Sequence, residues 1–163
     1  IDGFKKGLET TNQIIKNKEA LILGAGGVVP SIIIALRKMQ ISKIYLSNRT
    51  ELKALELKKT FPEIEIIEWG KVSNFDLIIN ATSIGLNNKD EINIDYKNIS
   101  KNKFFYDVIY NPKETNFLRR AKEFGAQTEN GKMMFIYQAQ KAFLIWHNIL
   151  PVVDNETLNL LDI

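Results

Sequence analysis

Apolar residues fall along this chain in two alternating rhythms. Short runs of strand length occur at residues 20–23 (ALIL), 43–47 (KIYLS), 64–67 (IEII), 75–80 (FDLIIN) and 103–109 (KFFYDVI). Several are apolar at successive positions, which suits parallel strands covered on both faces better than strands with one wet face. Between the first three runs lie residues 29–40 and 50–61, whose apolar positions follow helical spacing, with Thr50 the expected N-cap of the second. Strand and helix alternating in this way predict an α/β fold: a doubly wound, mostly parallel, Rossmann-like sheet with helices on both faces.

Three more helices and a short terminal one complete the expected order. Residues 3–15 place Phe4, Leu8 and Ile15 at helical spacing, and residues 115–125 end on Gly125, a good C-terminal stop. Residues 131–151 form the longest pattern, broken by Pro151, and a short helix is expected after Asp154. The chain therefore divides into a leading hinge helix (1–18), a Rossmann-like core (19–126) and C-terminal helices (127–163), all in one domain. It has no internal repeat and no low-complexity segment.

Composition narrows this picture only a little. A chain of 163 residues with 45% hydrophobic and 25% charged positions has the balance of one globular domain with a sizeable core. The absence of cysteine excludes disulfides and thiolate metal sites and suggests a reducing compartment. No apolar run approaches the roughly 20 residues of a membrane span, so the cytoplasm is the expected location and no membrane partner is expected. The net charge of +3 is scattered; the most basic stretches, LKALELKKT and KNISKNK, are interrupted by acidic or apolar residues. A nucleic-acid footprint would be a clustered stripe, so none is expected.

The candidate chemistry begins at GAGG (Gly24, Ala25, Gly26, Gly27), directly after one strand and before a helix. That context suits a phosphate cradle: Gly24 permits a tight turn, Gly26 lets backbone approach a pyrophosphate, and free N–H groups at the helix start receive the anion. The third small position of the dinucleotide fingerprint is Val29 here, a departure from the usual pattern, while Pro30 is compatible with a first helical turn. Dinucleotide folds that bind NAD end the second strand with an acidic residue for the ribose 2′-hydroxyl. This chain instead has Asn48, Arg49 and Thr50. A guanidinium suits a 2′-phosphate, so NADP is the expected cofactor and no metal is expected.

Later segments make the pattern specific. GAGG, NRT, NATSIGL (80–86), YDVIYNPKETNFLRRAKEFGA (106–126) and NGKMMFIYQAQKAFLIWHNILP (130–151) follow one another as in the shikimate dehydrogenase family, which the chain resembles from end to end. The resemblance implies an oxidoreductase that reduces 3-dehydroshikimate to shikimate with NADPH in aromatic amino-acid biosynthesis. It implies that Gly24 to Val28 hold the pyrophosphate and that Asn48, Arg49 and Thr50 clamp the 2′-phosphate. Ala81, Thr82 and Ser83 would run beside the nicotinamide ribose. Val108, Ile109, Gly131 and Met134 would lie near the nicotinamide, and Tyr110 and Gln138 would reach the substrate. Met133 is expected to pack, His147 to cap or pack rather than catalyse, and Asn111–Pro112 to form a turn.

The family's acid–base pair, a Lys and an Asp, comes from a separate N-terminal substrate domain. IDGF (1–4) corresponds to the end of the turn that follows that Asp, and Asp2 falls two places too late to be it. The resemblance therefore implies the C-terminal NADP-binding domain of a longer protein, inactive alone, with no catalytic residue of its own. Its apolar junction would favour self-association. Other readings are a stand-alone NADP-binding module, a relative that acts on quinate or uses NAD, and the nucleotide domain of glutamyl-tRNA reductase. The last lacks the YDVIYNP and NGKMMFIYQ segments.

Overall fold

The computed structural model describes residues 1–72, 75–87, 90–96 and 99–160. Residues 97 and 98 of the basic KNISKNK stretch and the last three of the expected C-terminal segment lie outside them. The elements in chain order are α1 (Asp2–Glu9), β1 (Glu19–Leu23), α2 (Val29–Lys38), β2 (Lys43–Ser47), α3 (Glu51–Thr60), β3 (Glu65–Ile66), β4 (Leu77–Asn80), β5 (Phe104–Asp107), α4 (Asn116–Glu123), β6 (Gln127–Glu129), α5 (Lys132–His147) and α6 (Asn155–Asn159). The strands form one sheet in the order β3-β2-β1-β4-β5-β6. Every pairing in it is parallel, so the expected "mostly parallel" sheet is wholly so. The order reverses between β1 and β4. That reversal opens a crevice beyond the strands' carboxyl ends, where sheets of this kind bind ligands.

The continuous apolar runs are explained by two cores, one on each face. Along β1, Ala20 and Ile22 join the cluster of Phe4, Ile32, Leu36 and Tyr106. Leu21 and Leu23 join the opposite cluster, with Ile78, Phe105, Phe117 and Leu118. The first face is closed by α1, α2, α3 and α5. The second is closed by α4 and by the non-helical stretch that carries Ile92, Ile94 and Tyr96. Ion pairs such as Lys43–Glu65 at 2.7 Å join side chains that are more than a third exposed, each worth about 0–1 kcal/mol, so apolar burial holds this fold together.

Four details depart from the sequence-based expectation. First, α1 ends at Glu9, because the hydroxyls of Thr10 and Thr11 donate to the carbonyls of Gly7 and Leu8 at 2.7 Å and close the helix; Ile15 is buried from outside it. Second, residues 127–129 are not the start of the C-terminal helices but β6, paired with β5, so the sheet runs past the expected boundary at 126. Its three residues, Gln-Thr-Glu, carry no apolar pattern, and backbone pairing alone defines it. Third, α5 stops at His147, with Asn148 left-handed at φ 54°, before Pro151 is reached. Fourth, Thr50 occupies the N-cap of α3 with extended backbone, but its side chain accepts no capping hydrogen bond.

α1 crosses α5 closely, and glycine permits it. A Cβ at Gly7 would lie 2.9 Å from Met134 N, and one at Gly3 would lie 2.7 Å from Met134 O. Two small residues at i and i+4 thus bring the backbones together and place the start of α5 over the sheet.

Candidate functional site

The carboxyl end of β1 turns at Gly24, which has φ 109°, a conformation that side-chain-bearing residues rarely adopt. A Cβ there would also sit 2.8 Å from the carbonyl oxygen of Ala81, so glycine is required twice over. Gly26 and Gly27 differ. A Cβ at Gly26 would meet nothing nearer than 3.9 Å, and one at Gly27 would meet nothing within 4 Å. Packing does not demand these glycines; they leave open the space that an approaching pyrophosphate would fill. The N–H of Val29 donates to Gly26 O, while those of Gly26, Gly27 and Val28 have no backbone acceptor among the described residues. Free donors at the positive end of α2, with Pro30 in its first turn, form an anion cradle.

A cavity of about 380 Å³ opens beside this loop, lined by Gly24, Ala25, Gly26, Asn48, Arg49, Thr50, Lys53, Trp69, Ala81, Thr82, Ser83 and Ile84. Three loops meet there, following β1, β2 and β4, together with the first turn of α3 and the loop after β3. Asn48 Nδ2 donates to Thr50 O at 2.7 Å, so this amide shapes the turn that presents Arg49. Lys53 projects back from the first turn of α3, as helical side chains do. Neither Arg49 nor Lys53 has a carboxylate partner among the described residues. Two cations facing one cavity beside the N-terminus of α2 give it a positive charge that suits an anion, and the residues fit a dinucleotide that carries an extra phosphate.

The β4 loop is held by a buried polar relay. Asn80 Oδ1 accepts from Thr82 N at 3.0 Å and from Thr82 Oγ1 at 2.7 Å, and Thr82 Oγ1 in turn accepts from Ile84 N. Asn80 Nδ2 donates to Ile84 O and to Asp107 Oδ1. Asp107 also accepts from Ile109 N at 3.0 Å and from Thr115 Oγ1 at 2.7 Å. A single buried carboxylate thereby ties together the loops after β4 and β5 and the start of α4. Burial pushes its carboxyl group up to about 6, against the opposing pull of the hydrogen bonds from Thr115, Ile109 and Asn80.

The expected site residues separate into two groups. Gly24, Ala25, Gly26, Asn48, Arg49, Thr50, Ala81, Thr82 and Ser83 line the one cavity, with Gly27 and Val28 at its edge leading into α2. Val108, Ile109, Tyr110, Gly131, Met134 and Gln138 gather instead at the end of β5 and the start of α5. Gly131 N donates to Ile109 O at 3.0 Å, and a Cβ at Gly131 would collide with the carbonyl of Val108, so the α5 start is pressed against this loop. Half-buried Tyr110 stacks on Phe135, with ring centroids 4.6 Å apart, and Gln138 stands exposed one turn further along α5. Met134 is buried and Met133 half-buried. The exposed His147 lies against Phe143 at the end of α5, away from both groups, and Asn111–Pro112 carries a cis peptide bond. No group of residues able to hold a metal ion occurs among the described residues, and no described helix is long and apolar enough to cross a membrane.

Reading the sequence missed Lys53, Trp69 and Asp107. Lys53 was accessible by helical phase, since it lies three residues past the Thr50 cap. Trp69 was accessible by topology, since it follows a strand's carboxyl end. For Asp107 no local signal exists, because its side-chain partners Asn80 and Thr115 lie 27 and 8 positions away, on other elements.

Comparison with known proteins bears on the family and the fold. Residues 8–116 match the family model described as shikimate / quinate 5-dehydrogenase. The chain is 74% identical over all its 163 residues to shikimate dehydrogenase (NADP(+)) of Pelagibacter ubique, covering 62% of that protein. It superposes on the crystal structure of shikimate dehydrogenase from Aquifex aeolicus with a TM-score of 0.86 and 35% identity, covering 98% of this chain and 59% of that one. The shikimate 5-dehydrogenase of Thermus thermophilus, solved with NADP(H) and shikimate, gives a TM-score of 0.84 at 29% identity over the same shares, 98% and 59%. The chain thus spans about three fifths of the length of the relatives it matches. A family model covering most of its length and a fold shared at this level lead to one conclusion: the chain belongs to the shikimate / quinate 5-dehydrogenase family.

Proposed function

We propose that these residues are the NADP-binding half of an NADP-dependent shikimate dehydrogenase, interconverting 3-dehydroshikimate and shikimate. The observation that carries this reading is the cavity in which Arg49 and Lys53 face a glycine loop whose Gly26 and Gly27 leave space open. The free N–H groups of Gly26, Gly27 and Val28 would hold the pyrophosphate, and Arg49, Thr50 and Lys53 the 2′-phosphate. When bound, the dinucleotide supplies hydride transfer at its nicotinamide. Thr82 and Ser83 would border the nicotinamide ribose, on a loop that Asn80 and Asp107 hold rigid. Val108, Ile109, Gly131 and Met134 would border the nicotinamide ring, and Tyr110 and Gln138 would bind the substrate's polar groups. The stacking of Tyr110 on α5 supports the last assignment, because it brings both side chains to one helix face.

Carbonyl reduction also needs a proton donor beside the carbonyl. We place that donor, and most of the substrate pocket, in the part of the relatives' length that this chain does not span. The apolar side of α5 is the surface that part would cover. Two measurements test the reading together. NADP at 100 times its dissociation constant should stabilise the 163-residue chain by about 2.7 kcal/mol in thermal unfolding. The same sample given shikimate should show no NADPH formation above background. An unchanged melting temperature would contradict the nucleotide site, and brisk turnover would contradict the division of labour.

A further inference from the structure

The cavity that carries the proposed dinucleotide has one aromatic wall. Of its twelve lining residues, Trp69 alone is aromatic, and Ile84 is the other large apolar one. Trp69 lies three residues past the end of β3, just after Ile67 N extends the strand pairing to Leu46 O. It is half-buried, packed against the core cluster that contains Leu21, Leu23 and Ile78. The indole is thus anchored on one side by the sheet's own core, and the part left uncovered lines the cavity.

The chemistry of the ligand makes this position informative. In NADP the 2′-phosphate and the purine are substituents on adjacent carbons of one ribose. A phosphate held by Arg49 and Lys53 therefore brings the purine into the same cavity, within a sugar's width. A purine presents a flat π face that gains most from another flat ring. We infer that Trp69 forms the purine wall of the dinucleotide site and contributes directly to affinity for the adenosine half. This rests on the NADP reading above, and the test separates the two.

The probe is 2′,5′-ADP, which has the purine and the 2′-phosphate but no nicotinamide. The chain contains two tryptophans, and Trp146 is 78% exposed near the end of α5, outside this cavity. A Trp146→Phe variant therefore leaves Trp69 as the single indole. Its emission should change saturably as 2′,5′-ADP is added, with the midpoint that calorimetry gives. Trp69→Leu should bind the probe about tenfold more weakly, within the range of base–aromatic stacking, and Trp69→Phe should lose less. Calorimetric binding with unaltered Trp69 emission would overturn the inference while leaving the nucleotide site standing. So would Trp69→Leu binding within twofold of the parent. The emission arm does not depend on how well a Trp69 variant folds. Absence of calorimetric binding by the parent would overturn this inference together with the reading it rests on.

Discussion

The glycine-loop cavity and the outer side of α5 are both surfaces, yet they are built in opposite ways. The cavity sets two cations among mixed polar and apolar groups and is braced from beneath: Leu21, Ile22 and Leu23 are fully buried, Gly24 fixes the turn, and Asn80 with Asp107 locks the facing loop. The α5 side is apolar and exposed. Ile145 is 69% accessible and Ile149, just past its end, 61%; a separate groove of about 310 Å³, lined by Phe135, Phe143, Val152 and Leu160, lies between α5 and the segment that follows it. Apolar surface of this kind is what a contact would cover, whereas the cavity presents Arg49, Lys53 and the glycine loop to an anion.

The largest expected effect tests the bracing. Asp107 has its carboxyl raised to about 6 in the folded chain from an ordinary value of 3.8. Below about pH 4 both folded and unfolded states hold the proton. Between about 4 and 6 only the folded state holds it, so stability falls as pH rises through this window and levels off above it. A shift of about two units corresponds to about 3 kcal/mol. Denaturant titrations at pH 4 and pH 7 should show this loss for the parent and not for Asp107→Asn. Equal pH dependence in both proteins would mean that the buried carboxylate is not the controlling group.

The glycine loop gives the next effect and separates turn from cradle. Gly24→Ala meets both a positive φ and the Ala81 carbonyl, and should cost on the order of 1–3 kcal/mol in stability as well as nucleotide binding. Gly26→Ala has room for its methyl group and should leave stability within about 1 kcal/mol of the parent, or slightly higher. Its affinity for NADP should nonetheless fall clearly by calorimetry. Unchanged affinity in Gly26→Ala would reduce the loop to a turn.

The smallest effect on folding belongs to the α5 side. Ile145→Lys with Ile149→Lys should shift stability by no more than about 0.5 kcal/mol per site. Sedimentation should show the parent self-associating at high concentration and the double variant remaining monomeric. A clean monomer for the parent would remove the contrast between the two surfaces.

How far the sequence revealed these features follows from how local each signal is. Strands β1, β2 and β4 declare themselves through apolar runs, because both faces of each are covered. The glycine loop and the Asn48–Thr50 turn are contiguous, and each matches a known chemical need. β6 has no such pattern, since its three polar residues belong to the sheet only through their pairing with β5. The relay through Asp107 joins residues 27 and 8 positions away, a relation that folding creates and spacing does not disclose. The end of α1 was hidden for another reason: two threonine hydroxyls outweighed an apolar period that continued to Ile15.

The most direct test of the central claim is a calorimetric titration of the parent chain and of Arg49→Ala with NADP and, separately, with NAD. Charge-assisted contacts to a 2′-phosphate are worth about 1.5–3 kcal/mol, or about 10- to 150-fold in affinity. The parent should prefer NADP by that factor, and Arg49→Ala should lose most of the preference while its affinity for NAD changes little. Equal affinity of the parent for the two dinucleotides would contradict the assignment of this cavity to NADP.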